Sequence, residues 1–450
     1  GSEMCIRDSP KRDVLTKVIN LNQILFFMDI ADALNISKEI SLRGWIAELR
    51  DLKKLQFIVL RDRTGDLQII IKDNPEMASK FAELTKEDYV EITGTLVTNT
   101  QARLGVEMVP RAIKILSKSE QPLPIDISGK IETSLDKRLD YRFLDLRRRE
   151  ISSIFRIQSE ICKVFREFFR SKGFIEIWTP GIIAEAAEGG TELFTVNYFD
   201  ETAYLAQSPQ LYKQQAVISN LEKVFSITPV WRAEPHDTSK HLNELRQMDI
   251  EMANADDELV MDLLAEFIQQ VVKEINKNCK EELEAIGYEL KIPKKIMLEY
   301  NKAIQVLQDA GLKISYGDDI SSEAEKKLSD IYGKENMIFL KKWPLKLKPF
   351  YIMPTEEDPD ISTGFDMDFG GIELCSGGQR VHNPELLSKR IKECGLDPKD
   401  FKFYIDSFKY GAPKHAGWSV GLERLTMVFC GLSNIREACL FPRDSKRIKP

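Results

Sequence analysis

An arginine and a glutamate stand two residues apart in VFSITPVWRAEPHDTSKHLNE (224–244), where an apolar, strand-like run enters a polar loop. Side chains two apart on a strand project to one face, so Arg232 and Glu234 offer a guanidinium and a carboxylate to the same surface. The planar fork of a guanidinium makes two parallel charged hydrogen bonds to a phosphate, and a carboxylate accepts from an exocyclic amine. The pair therefore suits a nucleotide, with phosphate on Arg232, base amine on Glu234, and Lys240 and His241 available to outer phosphates. The plainer alternative is an ion pair on a solvated sheet face.

Three further groupings carry chemistry. In FDMDFGGIELCSGGQRVH, Asp366, Glu373 and Ser376 supply hard oxygen ligands near the ends of adjacent extended stretches, a set that suits Mg²⁺ shared with phosphates. Gly377 and Gly378 allow close backbone approach, and Arg380 adds a fixed positive charge. In HAGWSVGLERL, Arg424 falls in the first turn of an apolar helix preceded by Gly421; a buried arginine needs an anion, either a ligand at the helix start or Glu423. In LAQSPQLYKQ (205–214), Gln207, Ser208, Gln210 and Lys213 crowd an apolar strand-to-helix junction. A lysine in such a pocket selects a carboxylate.

The elements that must hold these groups can be read from periodicity. Residues 40–116 alternate as five short strands, ISLRGWIAEL, LQFIVLRD, DLQIIIKD, YVEITGTLV and VEMVPRAIKIL, with a hairpin turn at RDRTGD and a short helix expected at FAELTKED between the third and fourth. That order suits an OB-fold barrel. Residues 118–149, first Pro-rich and then dense in Arg, read as a linker or hinge. Apolar residues at helical spacing run from 151 to 169 and stop at Ser171-Lys172-Gly173. Helices are also expected at 256–280, about 385–394 and over VGLERLTMVFCG, with strands at GFIEIWTP, PFYIMP, GFDMDF and GIELCSGG.

Composition bounds the reading. A chain of 450 residues calls for at least two domains. With 43% hydrophobic and 30% charged residues it has the balance of a soluble globular protein, and it contains no apolar run near the ~20 residues that span a bilayer. Its 7 cysteines form no CxxC pair, which argues for reduced thiols rather than a zinc site or disulfide framework. The net charge of −7 argues against a surface that grips nucleic acid everywhere, yet residues 37–118 carry 14 Lys and Arg against 12 Asp and Glu. Residues 1–20 are read as a leader: the initial Gly-Ser resembles a cloning remnant, and there is no h-region of a signal peptide.

Taken together, the segments resemble the class II aminoacyl-tRNA synthetases, and among them the aspartyl enzymes of the archaeal and eukaryotic type (subclass IIb). GFIEIWTP is similar to motif 1 (about 173–182), VWRAEPHDTSKHLNELRQMDIEMA lies in a motif 2 of about 224–253, and GLERL in a motif 3 of about 417–444. The resemblance implies an α+β chain: an OB-fold anticodon-binding domain at 21–117, the hinge at 118–149, and a catalytic domain at 150–450 built on an antiparallel sheet of six to seven strands flanked by helices. It implies a cytoplasmic homodimer formed through motif 1, with L-aspartate, ATP and tRNA-Asp as substrates, Mg²⁺ as cofactor and no membrane association.

Carried onto these residues, the resemblance assigns catalysis to Arg232, on the α-phosphate and the substrate carboxylate, and to Arg424 at the far end of ATP. It gives ATP also to Glu234, Lys240, His241, Leu242, Glu373, Gly421, Leu422 and Glu423. The metal goes to Glu373 and Ser376, with Asp366 as a further acid. The aspartate pocket would comprise Lys213 and Arg380 on the side-chain carboxylate, Glu188 on the amino group, and Gln210, Asp249, Ser376 and Arg232. Phe57 would stack on an anticodon base, with Gln68 reading a base and Arg50 contacting a base or phosphate. Ala47 and Arg103 stand where a choice between tRNA-Asp alone and tRNA-Asp with tRNA-Asn is made.

An asparaginyl enzyme shares the three motifs and differs by one substrate amide; Lys213 argues against it, since a neutral amide leaves a buried lysine without its anion. A lysyl enzyme would set a cationic substrate against Lys213 and Arg380. A non-catalytic, synthetase-like RNA-binding protein is the alternative of another class, and the presence of Arg232, Glu234, Glu373 and Arg424 argues against it.

Overall fold

The computed structural model describes residues 28–34, 36, 38–53, 55–184, 192–235 and 238–450. The chain divides into two compact units, Gly1–Pro124 and Ile125–Pro450.

In the first unit, strands β1 (Glu39–Asp51), β2 (Leu55–Arg61), β3 (Asp66–Lys72), β4 (Tyr89–Thr98) and β5 (Val106–Ser117) close a barrel in the order β1-β2-β3-β5-β4. Strict alternation makes this possible: Ile58 and Leu60 on β2 and Leu67, Ile69 and Ile71 on β3 fill the interior while their neighbours face out. Helix α1 (Ile30–Ala33) precedes the barrel, and α2 (Pro75–Ala82) joins β3 to β4. This second helix lies earlier than FAELTKED. Asn74 caps it, accepting from the Met77 amide at 3.1 Å, and Pro75 opens it. Thr85 and Asp88 instead form a turn, the Thr85 amide donating to Asp88 at 2.8 Å.

The second unit begins inside the expected linker. Helices α3 (Leu135–Asp140) and α4 (Arg142–Asp145) occupy its Arg-dense half. Arg142 is buried, paired with Asp145 at 2.8 Å, and donates to the carbonyls of Glu437, Cys439 and Leu440, each at 3.1 Å. This stretch is thus an anchor within the second unit rather than a hinge. The unit boundary falls after Pro124.

Next come α5 (Arg149–Ser171), β6 (Ile175–Glu176), a small sheet of β7 (Ile182–Ile183), β8 (Thr195–Tyr198) and β9 (Glu201–Leu205), and α6 (Gln210–Val217). The hairpin of β10 (Lys223–Trp231) and β11 (Glu244–Ala253) leads to α7 (Asp257–Asn278), α8 (Lys280–Ile286) and β12 (Lys295–Glu299). After α9 (Tyr300–Asp309) and α10 (Ser322–Tyr332) follow β13 (Met337–Lys341), β14 (Gly364–Phe369), β15 (Ile372–Gln379), α11 (Pro384–Glu393), α12 (Lys402–Ser407), β16 (His415–Gly421) and α13 (Leu422–Phe429).

The main sheet runs β12-β13-β14-β15-β16-β11-β10-β6. It is larger and more mixed than the antiparallel sheet expected. Six central strands are antiparallel, while β12 pairs with β13 and β6 with β10 in parallel at the two edges. The two faces divide the labour. Met248 and Ile250 on β11, Phe365 and Met367 on β14, and Trp418 on β16 pack against Phe165 and Phe169 of α5 and Phe267 of α7, with Phe267 stacked on Trp418 at 6.0 Å. The intervening residues Asp249, Glu251, Asp366, Asp368 and Ser419 project to the opposite, polar face.

Candidate active site

A cleft of about 270 Å³ opens on that polar face, lined from α6, the β10–β11 hairpin, β15, β16 and α13. Arg232 and Glu234 lie just past the end of β10, where the ladder gives way to irregular chain. Asn243 holds both in place. Its backbone carbonyl accepts from the Arg232 amide at 3.0 Å, and its side chain donates to the carbonyls of Arg232 at 2.7 Å and Glu234 at 2.9 Å. Both side chains line the cleft, and among the described residues they make no ion pair with each other. The Arg232 Nε is buried without a partner, so the solvated ion pair considered from sequence is not formed.

The loop places its groups beside this pair. His241 Nδ1 sits 2.5 Å from the Thr238 hydroxyl, Lys240 Nζ is 3.4 Å from Glu325 and 3.3 Å from the Gly371 carbonyl, and buried Leu242 also lines the cleft. At the other end, Arg424 Nη1 donates to the Glu373 carbonyl at 3.0 Å. Glu423 is not its partner, because its carboxylate accepts from the Arg246 amide at 3.0 Å. Gly421 and Glu423 line the cleft; Leu422 is buried at the start of α13.

Four carboxylates crowd this end. Asp368 pairs in register with Glu373, and Asp366 with Ser376. Burial, and then the charge of Asp366, push Glu373 up to about 7 against the pull of Arg424 and Lys348. Asp368 is held well above the usual carboxylate range by burial and by Glu325 and Glu373, and its Oδ2 has no partner. Lys348 pairs with Asp366, which lies behind the cleft wall. Among the described residues no three or more His, Cys, Asp or Glu side chains gather into a metal cage.

The deep end departs from expectation. Lys213 is buried, with Nζ donating to Asp249 at 2.7 Å and to the Trp418 carbonyl at 3.3 Å, and lying 3.5 Å from Glu251. Its anions are supplied by the protein: Asp249 and Glu251 pair with the amine that the sequence reading gave to a substrate carboxylate. Glu251 also clamps Arg380 through both oxygens, at 2.9 and 3.2 Å. Although burial raises it, Arg380 and Lys213 hold the Glu251 carboxyl below its ordinary range. Burial instead raises Asp249. Arg380 lines the cleft, and its Nη1 has no hydrogen-bond partner among the described residues; Lys213 and Asp249 stand behind the wall. Gln210 and Ser376 line the cleft. Glu188 lies outside the described residues.

On the barrel, register sets Arg50 opposite Phe57, Phe57 opposite Ile70, and Val59 opposite Gln68, so Arg50, Phe57 and Gln68 share one outer face. Gln68 donates to buried Glu107 at 2.9 Å, and Arg50 to Glu48 at 2.7 Å. Ala47 sits at the register shift of β1, and Arg103 lies 3.6 Å from Asp66.

Sequence reasoning missed Asn243, Glu251, Glu325 and Glu107. One signal was available for Glu251, which stands two residues from Asp249 in QMDIEMA, the spacing that singled out Arg232 and Glu234. Glu325 comes from a distant helix, and no local pattern announces it.

The chain joins a barrel whose outer face carries Arg50, Phe57 and Gln68 to a sheet whose polar side gathers an unpaired guanidinium and crowded carboxylates. Residues 134–445 match the family described as tRNA synthetases class II (D, K and N), and residues 40–116 match the OB-fold nucleic acid binding domain. The chain belongs to the class II aminoacyl-tRNA synthetases.

Within that family it is 44% identical over 420 residues to the aspartate–tRNA(Asp/Asn) ligase of Methanopyrus kandleri, covering 92% of this chain and 96% of that one. It is also 44% identical over 432 residues to the aspartate–tRNA(Asp) ligase of Pyrococcus furiosus, covering 94% and 98%. Among solved structures, asparaginyl-tRNA synthetase from Pyrococcus horikoshii, complexed with asparaginyl-adenylate, aligns with TM-score 0.90 at 30% identity over 95% of this chain and all of that one. The aspartyl-tRNA synthetase of Entamoeba histolytica aligns with TM-score 0.84 at 33% identity over 94% and 93%. The fold is thus common to both amino-acid specificities.

Proposed function

We propose that this chain is an aspartate–tRNA ligase, which activates L-aspartate with ATP and transfers it to the 3′ end of tRNA-Asp. The observation that carries the reading is the buried, unpartnered Nε of Arg232 in a cleft where Arg380 is already paired with Glu251 and Lys240 with Glu325. A guanidinium whose backbone is held by Asn243, and which is left without an anion, is a preorganised partner for phosphate.

ATP lies with its α-phosphate on Arg232, its adenine amine on Glu234, and its outer phosphates toward His241, Lys240 and Arg424. The aspartate α-carboxylate attacks the α-phosphorus, pyrophosphate leaves, and aspartyl-adenylate forms. The terminal adenosine hydroxyl of the tRNA then attacks the activated carbonyl and releases AMP. In this reading no side chain acts as a nucleophile; positioning and charge neutralisation lower the barrier.

Glu373 and Ser376 fit a magnesium ion that completes its shell with phosphates, as this ion does in nucleotide sites. Burial, and then the neighbouring charge of Asp366, raise Glu373, and a cation beside this carboxylate set relieves both. When bound, the ion neutralises phosphate charge as pyrophosphate departs.

Arg380 receives the side-chain carboxylate on its Nη1 edge, with the guanidinium oriented by Glu251. The amino-acid choice draws on the relatives as well: the sequence relatives reported above are named as aspartate ligases and are 44% identical to this chain over more than nine-tenths of it. On the barrel, Phe57 stacks on an anticodon base beside Gln68 and Arg50. Exposed apolar residues on the motif 1 segment, Ile175 at 45% and Trp178 at 82%, support a homodimer through that edge.

Aminoacylation of tRNA-Asp transcripts with radiolabelled aspartate, ATP and Mg²⁺ tests the reading. Aspartyl ester at the terminal adenosine is expected. Esterification by asparagine in its place would move the assignment to the asparaginyl enzyme.

A further inference from the structure

One buried chain of hydrogen bonds behind the cleft leads to a wall residue. His415 Nδ1 lies 2.9 Å from the Pro413 carbonyl, and its Nε2 lies 3.0 Å from the Gln214 side-chain nitrogen. The Gln214 oxygen accepts from the Tyr404 hydroxyl at 2.9 Å and from the Gln210 side-chain nitrogen at 2.8 Å. Gln210 and Gln214 are one turn apart on α6, and His415, Gln214 and Tyr404 are fully buried.

Donor and acceptor chemistry fixes every orientation in this chain. A carbonyl can only accept, so His415 Nδ1 carries a proton, and in the neutral ring Nε2 is then an acceptor. Gln214 must turn its NH₂ to that nitrogen and its oxygen to Tyr404 and Gln210. Gln210 must turn its NH₂ to Gln214, giving it one N–H, which leaves its carbonyl oxygen without a partner among the described residues on a side chain that lines the cleft. Burial holds His415 below its ordinary range, against the attraction of Glu251 and with the repulsion of Arg380 and His382. Phe408 is stacked on the ring at 5.8 Å.

We infer that Gln214, oriented by His415, is a positioning residue that fixes the Gln210 amide with its carbonyl oxygen free as an acceptor in the cleft wall and so directs the amino acid's ammonium group to that wall. The inference rests on the proposed aspartate-activating function. Aspartate brings one cationic donor and two carboxylates; an acceptor-only oxygen attracts the first and repels the others. Were Gln214 reversed, Gln210 would present NH₂ and the preference would invert.

The test measures aspartate and ATP KM values in pyrophosphate exchange for the wild type, Gln214→Met, Gln210→Met and the double variant. Loss of a hydrogen bond to a charged group is worth roughly tenfold or more in affinity. Gln214→Met is expected to raise the aspartate KM about tenfold while leaving the ATP KM within about twofold, and the double variant is expected to be no worse than Gln210→Met. Should Gln214→Met fail to fold, Gln214→Asn, too short to reach either partner, carries the same expectation. An unchanged aspartate KM, a parallel rise in both KM values, or multiplying effects in the double variant would overturn the inference. Absence of aspartate-dependent exchange in the wild type would instead remove the function on which it rests, and the inference with it.

Discussion

Single side chains carry the account where their partners are fixed or missing. Arg232 is the clearest case, held through its backbone by Asn243 and left with a buried free Nε. Arg232→Ala is expected to lower aspartate-dependent exchange by about 10²–10³-fold, the usual cost of one preorganised transition-state donor, with the fold retained by circular dichroism. Glu251 is different, because both Arg380 and Lys213 depend on it. Glu251→Gln leaves buried cations underpaired and is expected to cost about 3–5 kcal/mol in denaturant unfolding. Glu373 supplies a pH signature. Its folded pKa of about 7 lies above the ordinary 4.5, so the folded state binds the proton more tightly. The stability it contributes is present below the unfolded value and is lost as pH rises toward 7. Without divalent cation or nucleotide, Glu373→Gln is expected to flatten the fall in Tm between pH 5 and 7 (about the window set by those two values); an unchanged slope would contradict the crowding seen among these carboxylates.

At the scale of elements, alternation on the sheet separates packing from chemistry, and close strand approach protects the arrangement. A methyl added at Gly417 would collide with the Glu251 carboxylate and the Ile250 carbonyl. Gly417→Ala is therefore expected to disturb the Arg380 clamp more than the core, with loss of exchange exceeding loss of stability. On the barrel, Phe57→Ala is expected to weaken tRNA binding by about 1–3 kcal/mol through lost stacking, leaving exchange without tRNA unchanged. Much of this level was legible in the sequence. The five barrel strands, the helices around 151–171, 256–280 and 385–394, and Arg424 in the first turn of its helix follow from local periodicity. The misplaced α2 shows a local signal overlooked, since Asn74-Pro75 is a helix start. The Arg-rich 138–149 stretch could not be read as an anchor, because the carbonyls that receive Arg142 come almost 300 residues later. The two parallel edge strands likewise depend on pairing partners distant in sequence.

For the whole molecule, a sheet-based nucleotide site and a barrel with an aromatic-basic face reside in one chain, as activating an amino acid and choosing a tRNA require. The proposed homodimer through the exposed motif 1 edge is tested by Trp178→Glu: light scattering is expected to give a dimer for the wild type and a shift toward monomer for the variant. The central claim is the substrate. Lys213 is already paired with Asp249, and Arg380 with Glu251 through Nε and Nη2; in the proposed function the substrate carboxylate sits on the remaining Nη1 of Arg380. Amino-acid-dependent pyrophosphate exchange with ATP and Mg²⁺, comparing aspartate, asparagine and lysine at equal concentrations, tests this most directly. Exchange with aspartate alone is the expected result; exchange driven by asparagine, or none with any of the three, would contradict the account.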